Sequence, residues 1–199
     1  MEVKDKIMYH IHNGTNHNDM WKVGNIIDNS GDFLSYYYLN SLDFKCCVQV
    51  DDRFVTLDRV IDRYLSYDDL SVDECRKLLI DAKGFLRNFN IAKREFALEE
   101  CRRLYYHHMP SRKEAIWLCD LEQLKFWNNM ICLDNKICFK VSVTGNLFKS
   151  SDLFIPNDDL SFKESLDAAH RYWNPDFSNV NDDGVEYLFK GKLKILEKK

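Results

Sequence analysis

Apolar and polar positions along the 199-residue chain alternate with several different periods, and each period predicts an element. Residues Ile7–Ile11 read as a short strand, and Asn25–Asp28 as a brief extended segment after a glycine-interrupted loop. The segment Phe33–Leu42, with Tyr36, Tyr37 and Tyr38, fits a strand or a helix. Cys46–Val50 reads as another short strand. The spacing then lengthens: Val72, Cys75, Leu79, Ala82, Leu86 and Phe89 follow a helical period behind the capping box Ser71–Glu74. A second helix is expected from about Ile91 to His107, with Ala97, Cys101 and Leu104 on one stripe and Pro110 ending it.

Ala115–Cys119 predicts a strand, and Asp120 a cap for a helix over Leu121–Met130 with Gln123 at the reciprocal position. Ile137–Val143 alternates as a half-buried strand does. Ser161–Glu164 is a further capping box, opening a helix that reaches Trp173. Val185–Leu196 predicts two short strands with a tight turn at Lys190-Gly191. The order defines an α+β chain with an antiparallel component. The length suits a single domain over residues 1–199, with a largely helical insert at about 33–108.

Composition narrows the function classes. Lys plus Arg is 28 and Asp plus Glu is 32, a balance of −4 that argues against broad charge-driven nucleic-acid binding. The seven cysteines are odd in number and contain no CxxC pair, so they read as thiols of a reducing compartment. No stretch reads as a signal peptide or as a membrane span, and the expected location is cytoplasmic, without membrane association.

Three groups carry candidate chemistry. Strand alternation sends His10 and His12 to one face, as a metal pair, as hydrogen-bonded strand-end side chains, or as a donor to a ribose or amide. A third metal ligand at a fitting spacing is not evident, so no metal is expected. Ser111 and Arg112 stand at the lip of the strand that follows. The arginine fork suits a pyrophosphate, or it pairs with Glu114 or Asp120 at the surface. Glu186 lies between Val185 and Tyr187 in an apolar strand. It is either a desolvated functional carboxylate or a solvated outer-face residue paired with Lys192 or Lys194. Tyr37, Tyr172, Trp117, Trp127 and Trp173 are aromatic candidates for stacking or for core.

Taken in order, Tyr9-His10, Lys22-Val23-Gly24-x-Ile26, Pro110-Ser111-Arg112, Ile116-Trp117-Leu118 and Val185-Glu186-Tyr187-Leu188 resemble the ADP-ribosyltransferase-like superfamily. The closer likeness is to a bacterial and phage branch with a PSR-containing segment. The sequence departs from the family opening by placing Ile11-His12-Asn13 before Gly14, and the family's middle tyrosine has no match. The resemblance implies a split two-sheet α+β core that cradles NAD. His10 and Glu186 would be the catalytic pair, with Tyr9, His10, Ser111, Arg112 and Trp117 contacting the dinucleotide; Trp117 or Tyr37 would stack on nicotinamide. The implied partners are NAD, a protein or nucleic-acid acceptor, and a neutralising or host protein. Two other classes stay open: a non-catalytic nucleotide-binding or interaction module, and a small nucleic-acid-binding domain using Arg102, Arg103 and Lys192–Lys199.

Overall fold

The computed structural model describes residues 1–14, 20–31, 34–35, 47–50, 52–66, 71–178 and 183–199. Tyr36, Tyr37, Tyr38, Cys46 and His17 lie outside the described residues.

The architecture is α+β. The main sheet is antiparallel and is built from β1 (Glu2–Asn13), β2 (Ile26–Asp28), β5 (Ile116–Leu118), β6 (Lys136–Ser151) and β7 (Val185–Lys198). Its order is β1-β6-β7-β2, with β5 also on β7. A separate ladder joins β3 (Cys47–Val50) to β4 (Arg53–Thr56). The described residues also form the α-helices α1 (Leu57–Leu65), α2 (Val72–Tyr105), α3 (Leu124–Met130) and α4 (Phe162–Trp173). Where it is described, the stretch expected as a helical insert holds the β3–β4 ladder as well as α1 and α2.

The sheet curls until its edges meet. β5 pairs with β7 on one side, and Cys119, just past β5, exchanges two backbone hydrogen bonds with Tyr9 of β1 (2.8 and 2.9 Å). Alternation along the strands then gives two buried faces. Met8, Phe139, Val141, Tyr187, Phe189 and Leu193 fill the concave side. Phe148 and Leu188 point the other way, onto Leu98 and Cys101 of α2 and Ala169, Tyr172 and Trp173 of α4. Trp173 Nε1 donates to the Leu98 carbonyl (2.7 Å), and Ser150 Oγ to the Tyr172 carbonyl (2.7 Å). These two bonds tie α4 to α2 and to β6.

Several elements differ from the sequence expectation. The two middle helices are one 34-residue helix, because Gly84 sits in open space and no proline interrupts it. The expected C-terminal hairpin is one continuous strand. Gly191 does not turn the chain; it faces Gly145 of β6, with φ of 147° and 146° respectively. A Cβ on either glycine would lie 2.5 Å from a carbonyl oxygen of the other strand, so the pair marks a close backbone approach. Both capping boxes form as read. Asp120 accepts from the Gln123 amide (3.0 Å), but Gln123 Oε1 accepts from Gly184 instead of closing a reciprocal box.

Candidate functional site

Between the convex side of the sheet and the α2–α4 pair lies a buried polar cluster: Glu95, Arg112, Tyr172 and Glu186. α2 contributes Glu95 from within the stripe Ala92, Leu98 and Cys101, and α4 contributes Tyr172 from its last turn. β7 contributes Glu186 on the face it shares with Leu188. Arg112 comes from the turn before β5.

Arg112 organises the group. Its Nε and Nη2 donate to the two oxygens of Glu95, each at 2.9 Å, in a bidentate pair. Its Nη1 donates to Glu186 Oε1 (3.0 Å) and to the Tyr172 hydroxyl. The Tyr172 hydroxyl in turn donates to Glu186 Oε1. The guanidinium also stacks 5.3 Å from the Trp117 ring and 4.8 Å from the Tyr172 ring.

One oxygen of Glu186 is therefore pinned twice. Among the described residues no group donates to its Oε2, and that atom is not sealed from solvent. The whole residue is 7% exposed. A buried carboxylate thus has one fixed oxygen and one without a donor among the described residues.

The electrostatics follow from counting charges. One guanidinium and two carboxylates give 1 − 2 = −1 in a site shielded from water. Glu95 takes most of the arginine's charge through its bidentate pair. Burial then pushes the Glu186 carboxyl above its ordinary value, against the pull of Arg112 and the Tyr172 hydrogen bond, and nearby Asp152 pushes the same way. Burial likewise raises the Tyr172 phenol. Burial works against the charge on Arg112, but Glu95, Tyr172 and Glu186 together outweigh it and the guanidinium stays charged.

The other sequence-derived candidates are placed around this cluster as follows. Ser111 is buried, and its hydroxyl donates to Glu99 Oε1 (2.9 Å). Glu99 is chelated by Arg102. The Ser111 hydroxyl and the Arg112 fork are therefore engaged by protein carboxylates and do not present a pyrophosphate clamp. Arg112 meets Glu95 and Glu186 instead of the surface partners Glu114 or Asp120, and Glu114 pairs with Lys190. Lys192 and Lys194 are not the partners of Glu186.

His10 lies on the other, concave face, stacked on Trp21 with centroids 4.2 Å apart. Its Nδ1–H donates to the Trp117 carbonyl (2.9 Å). Burial lowers its pKa to about 4, so the imidazole is neutral. His12 shares this aromatic stack, and among the described residues no group of three or more His, Cys, Asp or Glu side chains could hold a metal. Tyr9 points away from His10, with Lys199 Nζ 5.1 Å over its ring. The expected convergence of His10, Arg112 and Glu186 in one cleft is therefore corrected: a sheet lies between His10 and the other two. Trp117 links them, through its carbonyl on the His10 side and its ring on the Arg112 side.

Glu95 escaped sequence reasoning. Its signal was the same as that of Glu186: a carboxylate inside an apolar stripe, here between Ala92 and Leu98. The sequence marks Tyr172 as a ring, whereas its hydroxyl is the end that bonds Arg112 and Glu186.

Fold and site together define an α+β protein with a buried carboxylate–guanidinium cluster wedged between a curled antiparallel sheet and two helices. Residues 8–199 match the family described as "Protein of unknown function (DUF2441)", and the chain belongs to that family. No curated protein matches it.

Proposed function

We propose that this chain is an NAD-dependent ADP-ribosyltransferase that cleaves the nicotinamide–ribose bond and passes ADP-ribose to a macromolecular acceptor. The observation that carries the reading is Glu186, with Oε1 fixed by Arg112 and Tyr172 and Oε2 left without a donor. The contact between Arg112 and Glu186 supports it, with the curled sheet read as the split core of that superfamily.

NAD would supply a glycosidic bond whose breakage builds oxocarbenium-like charge on the ribose. The protein's part is electrostatic. Glu186 Oε2 accepts from the ribose hydroxyls, and its hydrogen bonds strengthen as charge develops. Tyr172 and Arg112 hold the carboxylate at a fixed angle, so that no reorganisation is needed. His10, neutral and fixed by Trp117, is a hydrogen-bonding imidazole and not a cation. The acceptor Oε2 of Glu186 suits a ribose hydroxyl. Arg112 and Ser111 do not fit its pyrophosphate in this geometry, and their role becomes positioning. A reducing, cytoplasmic setting accompanies the reading, in keeping with free thiols at every described cysteine.

The engaged Arg112 fork and the unmatched middle tyrosine favour a second reading, a non-catalytic module that binds a nucleotide or a protein. Incubation with adenine-labelled NAD and cell lysate separates the two. The transferase labels macromolecules, and Glu186→Gln abolishes labelling while retaining NAD binding. Binding without nicotinamide release would leave the module.

A further inference from the structure

All five buried residues of α2 lie between Ala92 and Cys101, where the helix packs on α4 and the sheet. The first half, from Val72 to Asn90, contains no buried residue. Cys75, Leu78, Ala82 and Phe85 of that half are half-buried, and exposed apolar residues run beside them.

That half is not polar. Val72 is 76% exposed and Leu79 is 70% exposed, and Ile80, Leu86 and Phe89 are exposed with them. Val72, Leu79 and Leu86 repeat every seven residues, and Cys75, Ala82 and Phe89 repeat at the intervening positions. This is a coiled-coil seam running along one side of the helix. Arg76 and Lys83 border it, again seven residues apart, and Arg87 adds a third cation to the same face. Among the described residues Arg76 alone of the three has an acid within 4.0 Å, Asp73, with both side chains largely exposed.

The charges choose the occupant. In an antiparallel pair of two copies the bordering cations would face each other and repel. In a parallel pair they would face Leu78 and Phe85 and find no partner. An acidic border on the opposing helix would neutralise them. We infer that the exposed half of α2 is a docking seam for an amphipathic helix of another protein, with apolar residues at heptad spacing and acidic residues along its flanks. The surface is separate from the Glu186 cluster, and the inference stands whatever that cluster does.

The test uses the full chain and two synthetic helical peptides with one apolar heptad core, flanked by Glu in the first and by Lys in the second. The Glu-flanked peptide should bind. Leu79→Ser should abolish binding with thermal unfolding unchanged, because the side chain is exposed. The double variant Arg76→Glu/Lys83→Glu should lose at least tenfold affinity for the Glu-flanked peptide and bind the Lys-flanked one. Failure of the Glu-flanked peptide to bind, or equal binding to the charge-reversed variant, overturns the inference. So does dimerisation in sedimentation that Leu79→Ser removes, because the seam would then belong to a second copy. Binding to phosphatidylserine vesicles in preference to either peptide would assign the face to a membrane surface and equally overturn it.

Discussion

Arg112 sits between two buried carboxylates, and each member of the cluster depends on it. Arg112→Leu would leave Glu95 and Glu186 buried without a counter-charge. A loss of about 3–5 kcal/mol in urea denaturation is expected. His10 makes a prediction of opposite character. Its folded-state pKa of about 4 lies below the ordinary 6.5, so the unfolded chain takes up a proton first as the pH falls. The stabilisation from His10 is complete above pH 6.5, declines as the pH falls toward 4, and is flat below that. The whole step is at most about 3 kcal/mol. The difference between the stability–pH curves of the native chain and His10→Gln should show this step; a flat difference would contradict the buried, neutral assignment. Glu186 shifts the other way. Its raised carboxyl holds a proton above the usual range, so activity that needs its anion should climb only at pH values above those of an ordinary glutamate.

At the scale of elements, the starts of α2 and α4 were legible from the residues, while α1 and the long strands were not. Ser71–Glu74 and Ser161–Glu164 satisfy their own backbone donors, so their meaning is local. Gly84 occupies a helical position within α2 with nothing near its missing side chain. Gly84→Ala should therefore stabilise the protein by about 0.5–1 kcal/mol in thermal or urea unfolding. Gly145 and Gly191 are the contrary case. Their significance lies in each other across 46 residues of chain, where β6 and β7 come too close for a Cβ. Gly191 beside Lys190 looks like a turn in sequence because the same conformational freedom serves both purposes. Gly145→Ala is expected to destabilise by at least ~1–3 kcal/mol from backbone strain alone, with the carbonyl contact adding to it.

For the molecule as a whole, alternation revealed which residues share a face within one strand but not which faces share a compartment. Glu186 was correctly separated from Val185 and Tyr187, and its buried side was legible as a carboxylate out of place. Whether His10 joined it depended on the curl of the sheet, which is set by pairings such as Tyr9 with Cys119 and β5 with β7. Those contacts are distant in sequence and leave no periodic trace. The same non-locality hid Glu95, whose reason for burial is an arginine 17 residues further along. The central proposal is that Glu186, held by Arg112 and Tyr172, is the carboxylate that drives cleavage of NAD. The rate of nicotinamide release by purified native chain and by Glu186→Gln, at matched NAD occupancy and matched thermal stability, tests it most directly. The account predicts measurable release by the native chain and a fall of about 10²-fold or more in the variant; equal rates in the two, or no release from either, would contradict it.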